Sequence, residues 1–209
     1  MRPRSKHTGS KLPLLLDLPF YPPRPLAFGE TFGNNHPVEA EIGCGKGTFL
    51  NTRARLHPEI NFLGIDRVWR FLKLGVQRAE KQGLSNIRFI RMDARWVASH
   101  LLPEDGIDIF HIYYPDPWPK PRDHKHRLLD RSFLLDLNVR LCSGGRIELA
   151  TDDFGYYIAI QEILAGSAGR WSHIRKRINE PFFETGRKTN YEVKYLAEGR
   201  LLYYLEAVK

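Results

Sequence analysis

The stretch 38–49 of the chain reads "VEAEIGCGKGTF", and the fold prediction starts from it. An apolar segment typical of a buried strand runs directly into a turn with glycine at every second position, Gly43, Gly45 and Gly47. Glycines spaced in this way let the backbone turn sharply and let a ligand approach it closely. The stretch therefore predicts the first strand and the ligand-binding turn of an α/β sheet, although a tight turn without a ligand also needs glycine.

The alternation of strand and helix continues toward the C-terminus. Strand patterns occupy residues 37–43, 61–66, 87–94, 107–114 and 146–153, and helical patterns occupy residues 47–58, 68–83, 130–145 and 154–167. Such alternation predicts a parallel sheet covered by helices on both faces. The segments 171–178 and 200–209 also have strand patterns, with only loop-like sequence between them. We therefore expect an antiparallel C-terminal pair at the end of a seven-stranded sheet.

Acidic residues end the first three predicted strands beside the glycine turn. Glu41 precedes Gly43 by two positions, where a carboxylate repels phosphates but suits a cationic amino group such as that of S-adenosylmethionine. Asp66 ends the second strand, where an acid accepts hydrogen bonds from ribose hydroxyls. Asp93 ends the third, within reach of an adenine amino group. Any one of these acids can instead cap a helix, but three at successive strand ends favour a bound cofactor.

The fourth strand runs into "PDPWPK" (115–120), which has proline at every second position. Each proline fixes its own φ and pushes the residue before it away from the helical region, here Tyr114, Asp116 and Trp118. We therefore expect an extended loop that holds Asp116 at the carboxyl edge of the sheet, as the first candidate for a catalytic residue. The two aromatic side chains can either stack on an RNA base or pack in the core.

Positive charge is concentrated in three segments, 1–25, 119–131 and 170–188. They hold 16 basic and 5 acidic residues, whereas the other 152 residues hold 16 basic and 19 acidic ones. This distribution favours binding of a polyanion, and the alternative is solubility charge on exposed loops. His124 and His126, in the second segment, fit phosphate contacts better than a metal site, because no cysteine or acid pair lies near them in the sequence.

Residues 1–36 form a basic, irregular arm that we expect to be flexible, followed by one domain over 37–209. The two cysteines, Cys44 and Cys142, have neither disulfide-framework nor metal-site spacing, which favours a reducing, cytoplasmic location. No apolar run approaches the roughly 18 residues of a membrane span, so no membrane association is expected.

The motifs "EIGCGKG", "GIDR", "PDPWPK", "TDD" and "TNYE", in this order, resemble the tRNA (guanine-N7-)-methyltransferase family. The resemblance implies a Rossmann-like class I methyltransferase fold, S-adenosylmethionine as donor, no metal, and a guanine in the tRNA variable loop as acceptor. It also implies a monomer or a homodimer. The family usually has Glu where this chain has Asp66, which is shorter by one methylene.

The resemblance also implies roles for individual residues. The donor site would comprise Glu41, Gly43, Gly45, Asp66, Asp93 and Asp116. The substrate contacts would be Lys120, Asp152, Thr189, Asn190, Tyr191 and Glu192.

Three other functions remain compatible with parts of this pattern. They are a methyltransferase for another RNA base or a small molecule, a catalytically silent RNA-binding protein on the same scaffold, and a nicotinamide-dependent oxidoreductase. The last is disfavoured by Glu41, whose carboxylate would lie close to the dinucleotide phosphates.

Overall fold

A single sheet of seven strands organises the protein, in the order β3-β2-β1-β4-β5-β7-β6. The computed structural model describes residues 14–16, 18, 24–167, 169–182 and 189–209. The strands are β1 (Val38–Ile42), β2 (Asn61–Ile65), β3 (Ile87–Ile90), β4 (Ile107–Tyr113), β5 (Leu141–Thr151), β6 (His173–Ile178) and β7 (Tyr203–Val208).

Strands β1 to β5 are parallel, and β7 lies between β5 and β6, antiparallel to both. The predicted parallel sheet and antiparallel C-terminal pair are therefore confirmed. The helices are α1 (Phe28–Phe32), α2 (Thr48–Leu56), α3 (Trp69–Lys81), α4 (Ala94–His100), α5 (Arg131–Arg140), α6 (Phe154–Ala165) and α7 (Asn190–Ala197), with a 3₁₀ helix at Pro121–His126. Among the described residues, no helix is both long and apolar enough to cross a bilayer.

The two faces of the sheet differ in chemistry. Helices α4, α5 and α6 cover an apolar face on which Ala40, Phe110, Ile147 and Leu205 are all buried. Because side chains alternate along a strand, their neighbours Glu39, Glu41, His111, Glu148 and Glu206 belong to the opposite face, and they are also buried. Helices α2 and α3 pack on that opposite face over β2 and β3.

Three local predictions were wrong. The helix predicted over 130–145 ends at Arg140, and the glycine pair at its end lies inside β5, near a register shift opposite Ile107 and Ile109. Glycine suits both a helix end and a β-bulge, so the glycine pair alone did not distinguish the end of a helix from an irregular strand. The third strand is shorter than predicted, and the helix α4 after it was not predicted. Helix α7 occupies part of the segment described as loop-like.

The described part of the N-terminal arm contacts the edge strand of the sheet. Leu16 N–H donates to Phe89 O at 2.9 Å, and Phe89 N–H donates to Leu14 O at 2.8 Å. Leu15 thereby pairs in parallel with Phe89 of β3. The predicted boundary at residue 37 also leaves α1 within the arm, and most residues before it lie outside the described part of the chain.

Gly64 allows the close packing beneath the glycine turn. It pairs with Glu41 in the β1–β2 register, and a Cβ there would lie 2.7 Å from Phe89 Cδ1 and 3.0 Å from Cys44 Sγ. We expect Gly64→Ala to lower the free energy of unfolding by about 1–3 kcal/mol, because these buried neighbours must move. Urea denaturation measures this. Gly155→Ala, in α6, is the control and should not destabilise the protein; equal destabilisation of both variants would contradict the steric argument.

Candidate active site

The glycine turn joins β1 to α2 at the carboxyl edge of the sheet. Gly43, Gly45 and Gly47 have φ values of 80°, 51° and 65°, in the left-handed region that favours glycine. A Cβ on Gly47 would lie 3.1 Å from Gly75 Cα in α3. The turn therefore needs glycine for its backbone angles and, at Gly47, for its contact with the next helix.

Asp66, at the end of β2, ties the turn to the neighbouring strand. Its Oδ2 accepts a hydrogen bond from Gly45 N–H at 2.9 Å, and its Oδ1 accepts one from Val68 N–H at 2.7 Å. The residue lies where the sequence predicts it, but its carboxylate already stabilises the local backbone. Its contact with a ribose remains a prediction.

Glu41 is buried under the turn, and its Oε2 has no hydrogen-bond partner among the described residues. Burial raises the pKa of Glu41 to about 7; the charge of His111 opposes this effect, and that of Asp66 adds to it. A buried carboxyl with an unsatisfied oxygen is costly unless a ligand pairs with it. The site therefore fits a cationic group such as the ammonium of S-adenosylmethionine.

A cavity of about 300 Å³ opens above Glu41. It brings the predicted donor residues Glu41, Gly43 and Gly45 together with the predicted substrate residues Thr189 and Tyr191. Its walls also include Lys46 and Lys194, two cations that the sequence analysis missed, and the rings of Phe49, Phe71, Tyr113 and Tyr114. Lys46 lies inside the glycine motif, and its position there was the available signal.

Of the other predicted residues whose side chains the structure describes, none lines this cavity. Asp93 caps α4, because its Oδ1 accepts hydrogen bonds from the N–H groups of Arg95 and Trp96. Asp152 pairs with Arg200 at 2.7 Å. For both acids, a structural role is therefore present in addition to the predicted functional one.

Helix α7 begins with a capping box formed by two predicted substrate residues. Glu192 N–H donates to Thr189 Oγ1 at 3.1 Å, and Thr189 N–H donates to Glu192 Oε2 at 2.6 Å. Glu192 is buried and also accepts a hydrogen bond from Tyr204 Oη at 2.8 Å. Asn190 is the first residue of the helix. The exposed Tyr191 lies with its ring centre 6.0 Å from that of Tyr114.

The loop after β4 is not extended throughout, contrary to the prediction. Tyr114 and Trp118 have φ values of 51° and 45°, in the left-handed region that costs L-residues roughly 1–2 kcal/mol. Hydrogen bonds hold this conformation: Tyr114 N–H donates to Ala150 O at 2.8 Å, and Arg127 Nε donates to Pro117 O at 2.8 Å. Asp116 is exposed. The side chain of Trp118 lies at the surface and not in the core.

The basic segments divide into exposed and internally paired residues. Lys120, Arg122 and Lys125 are exposed at or on the 3₁₀ helix. By contrast, Arg127 lies over the Tyr156 ring at 4.6 Å, and Arg175 Nε donates to the buried Glu206 at 2.6 Å. The charge available to a polyanion is therefore smaller than the sequence count indicates.

The pKa of Glu41 predicts a distinctive pH dependence of stability. Because the pKa is raised from 4.5 to about 7 on folding, the folded state binds more protons between these values, and stability falls as pH rises through them. Glu41→Gln should remove this slope, gaining up to about 3 kcal/mol relative to wild type between about pH 5 and about pH 8. Urea denaturation across this range measures it. Glu104→Gln, at an exposed site, should keep the wild-type slope; an unchanged slope in Glu41→Gln would contradict the assignment.

Solved structures of methyltransferases share this architecture. An antibiotic-related methyltransferase has a TM-score of 0.59 at 20% identity, covering 87% of this chain and 92% of the other. A precorrin-6y C5,15-methyltransferase from Geobacter metallireducens has a TM-score of 0.59 at 16% identity, covering 84% and 82%. At these identities the likeness concerns the fold alone, and it confirms the Rossmann-like methyltransferase fold.

The sequence relatives give more specific information about the family than the solved structures do. Residues 35–205 match the family model described as "Putative methyltransferase". A tRNA (guanine-N(7)-)-methyltransferase from Enterococcus faecalis is 33% identical over 182 residues, covering 85% of this chain and 83% of the relative. One from Rubrobacter xylanophilus is 34% identical over 187 residues, covering 88% and 82%. Identity at this level over nearly the full length of both proteins places the chain in the tRNA (guanine-N7-)-methyltransferase family.

Proposed function

We propose that the protein transfers a methyl group from S-adenosylmethionine to nitrogen 7 of a guanine in the variable loop of tRNA. The observation that carries this proposal is the cavity that joins Glu41 and the glycine turn to Thr189 and Tyr191. Methyl transfer requires donor and acceptor to meet in one place, and members of both predicted sets of residues line this one cavity. The names of the relatives support the same substrate class.

Donor binding follows from the chemistry of the cavity. S-adenosylmethionine supplies a methyl group bonded to a positively charged sulfur. The unpaired oxygen of Glu41 suits its ammonium group, and the glycine turn lets the ligand approach the backbone. Lys46 and Lys194 add positive charge for its carboxylate. Asp66 and Asp93, at the adjacent strand ends, remain the candidates for ribose and adenine.

The acceptor needs alignment more than activation. Nitrogen 7 of guanine has a free lone pair at neutral pH, so the reaction requires no base and yields a cationic ring. The tyrosine rings of Tyr113, Tyr114 and Tyr191 line the cavity, where they exclude water and offer flat surfaces for stacking. Asp116 supplies a carboxylate that favours positive charge developing on the base.

The exposed cations give the same site a contact with the rest of the tRNA. Lys120, Arg122 and Lys125 project beside the loop that carries Asp116. Phosphate binding by such residues is independent of base sequence and weakens steeply with salt. The base is thus selected in the cavity, and the tRNA body is held outside it.

The direct test is to incubate the protein with unmodified tRNA and labelled S-adenosylmethionine, and then to map the methylated nucleotide by chain cleavage at 7-methylguanine. Cleavage at one variable-loop guanine is expected, and its replacement by adenine in the tRNA should abolish labelling. Label at another base, or only on small molecules, would favour the alternative methyltransferases. Donor binding without any transfer would favour the silent RNA-binding protein.

Asp116→Ala should lower the rate of methyl transfer by roughly 10²–10³, the usual effect of removing one group that stabilises transition-state charge. Its thermal unfolding should match wild type, because the Asp116 side chain is exposed. Single-turnover methylation under saturating tRNA measures the effect. Asp136→Ala, at an exposed acid of α5 outside the predicted site, is the control; wild-type turnover in Asp116→Ala would refute the role given to Asp116.

The double variant Lys120→Ala/Arg122→Ala should weaken tRNA binding. It should also reduce the salt dependence of that binding, by about 1 in the log–log slope for each phosphate that the protein no longer neutralises. Donor affinity, measured by calorimetry, should not change. Lys81→Ala, an exposed cation at the end of α3, is the matched control. An equal decrease in donor and tRNA affinity would contradict a phosphate-binding role.

A further inference from the structure

A row of ionisable residues crosses the buried polar face of the sheet. In the strand register, Glu41 of β1 pairs with His111 of β4, which pairs with Glu148 of β5, which pairs with Glu206 of β7, which pairs with Arg175 of β6. Paired residues on neighbouring strands point to the same face. The row thus ends directly beneath the cavity, at Glu41.

The hydrogen bonds of His111 determine where its protons lie. Nε2 is 2.9 Å from Glu39 Oε2, and Nδ1 is 2.8 Å from Tyr113 Oη. The Tyr113 hydroxyl donates to Glu148 Oε2 at 3.2 Å, so its oxygen accepts from His111 Nδ1. Ionised carboxylates only accept hydrogen bonds. With Nδ1 also 3.3 Å from Glu148 Oε2, this pattern assigns a proton to each ring nitrogen, which makes His111 an imidazolium.

The other charges of this face balance without His111. Glu39 forms a two-point contact with Arg53 of α2, at 2.8 and 2.7 Å. Arg146 lies between Glu148 and Glu206, at 2.7 and 3.4 Å. Arg175 also donates to Glu206. Three carboxylates thus meet three guanidinium groups, and the imidazolium remains as the buried positive charge opposite Glu41.

We propose that His111 is a positioning residue for the methyl donor: a buried imidazolium that favours the ionised form of Glu41, the form that binds the donor's ammonium group. The proposal rests on the donor site inferred above. It adds a residue that touches neither substrate and acts through Glu41.

The shifts in the pKa values of His111 and Glu41 agree with this arrangement. Burial alone would lower the pKa of His111, but hydrogen bonds and charges from Glu148 and Glu39 raise it above its ordinary value. Burial and the charge of Asp66 raise the pKa of Glu41, whereas His111 lowers it. Other groups that interact with Glu41 are the Leu50 backbone N–H, the Cys44 thiol and the Tyr113 hydroxyl. Burial raises the pKa of the thiol and of the hydroxyl, and the charge of Glu41 adds to both shifts. Without His111, Glu41 would bind its proton up to a higher pH.

The first test determines the protonation state of His111 in the wild-type protein. Nitrogen-15 NMR of the His111 ring should show two protonated nitrogens at pH values at which an ordinary histidine has lost its proton. The His111→Gln variant would identify the signals. A neutral His111 ring at about pH 7 would overturn the proposal.

The second test measures the affinity for S-adenosylhomocysteine against pH in wild type and in His111→Gln. The ammonium group of S-adenosylhomocysteine titrates identically in both experiments. The difference between the two affinity curves therefore reports only on groups of the protein. At neutral pH the variant should bind about fivefold more weakly for the first pH unit by which Glu41 titrates later and about tenfold more weakly for each further unit, and this difference should disappear as pH rises. A decrease in affinity that is the same at every pH would mean that the substitution only disturbs packing, and it would overturn the proposal.

Two controls complete the design. His100→Gln, at an exposed histidine of α4, should follow the wild-type curve. 5′-Methylthioadenosine has no amino-acid group, so its affinity should show no shift between His111→Gln and wild type. Wild-type protein that bound the donor without methylating tRNA would contradict the proposed function and leave the role of His111 standing. Absence of donor binding would refute both.

Discussion

The contact between Gly47 and Gly75 sets the geometry of the carboxyl edge. Because neither residue has a Cβ, the glycine turn packs directly on α3, where a Cβ on Gly47 would come within 3.1 Å of Gly75 Cα. Asn51 Nδ2 then donates to Gly75 O at 3.0 Å and holds α2 against α3. Two helices and the turn thus behave as one unit, which fixes the rim of the cavity above Glu41.

The sheet below this edge separates two kinds of interior. The face under α4, α5 and α6 is apolar, and its burial stabilises the fold without directional requirements. The opposite face combines an apolar cluster under α2 and α3 with buried ion pairs. In these pairs, burial would raise the pKa of Glu39, but His111 and Arg53 lower it to about 2. Breaking one partner of such a pair leaves an uncompensated buried charge. The ion pairs therefore fix the relative orientation of the helices and strands that they join, whereas the burial of apolar side chains contributes most of the stabilising free energy.

Sequence patterns predicted the succession of strands along the chain and their parallel or antiparallel direction, because the period of apolar residues and the glycine turn are local signals. They also placed Glu41, Asp66 and Asp93 at strand ends. They did not predict what the carboxylates bind, since Asp66 holds Gly45 and Asp152 holds Arg200, 48 positions away. The charged row was missed for the same reason: Glu39 and His111 are 72 positions apart, and each lies in a strand interpreted only as buried. Helix α7 was missed because its capping box, not its apolar period, marks its start.

The pairing of Leu14 and Leu16 with Phe89 has a consequence for the behaviour of the protein in concentrated solution. An unpaired edge strand is a template on which other chains can add and aggregate. The N-terminal segment occupies this position on β3, whereas the opposite edge, β6, carries Arg175, Lys176 and Arg177, and positive charge on an edge strand discourages pairing. One edge of the sheet is thus protected by the chain itself and the other by electrostatic repulsion, so the N-terminal segment contributes to colloidal stability.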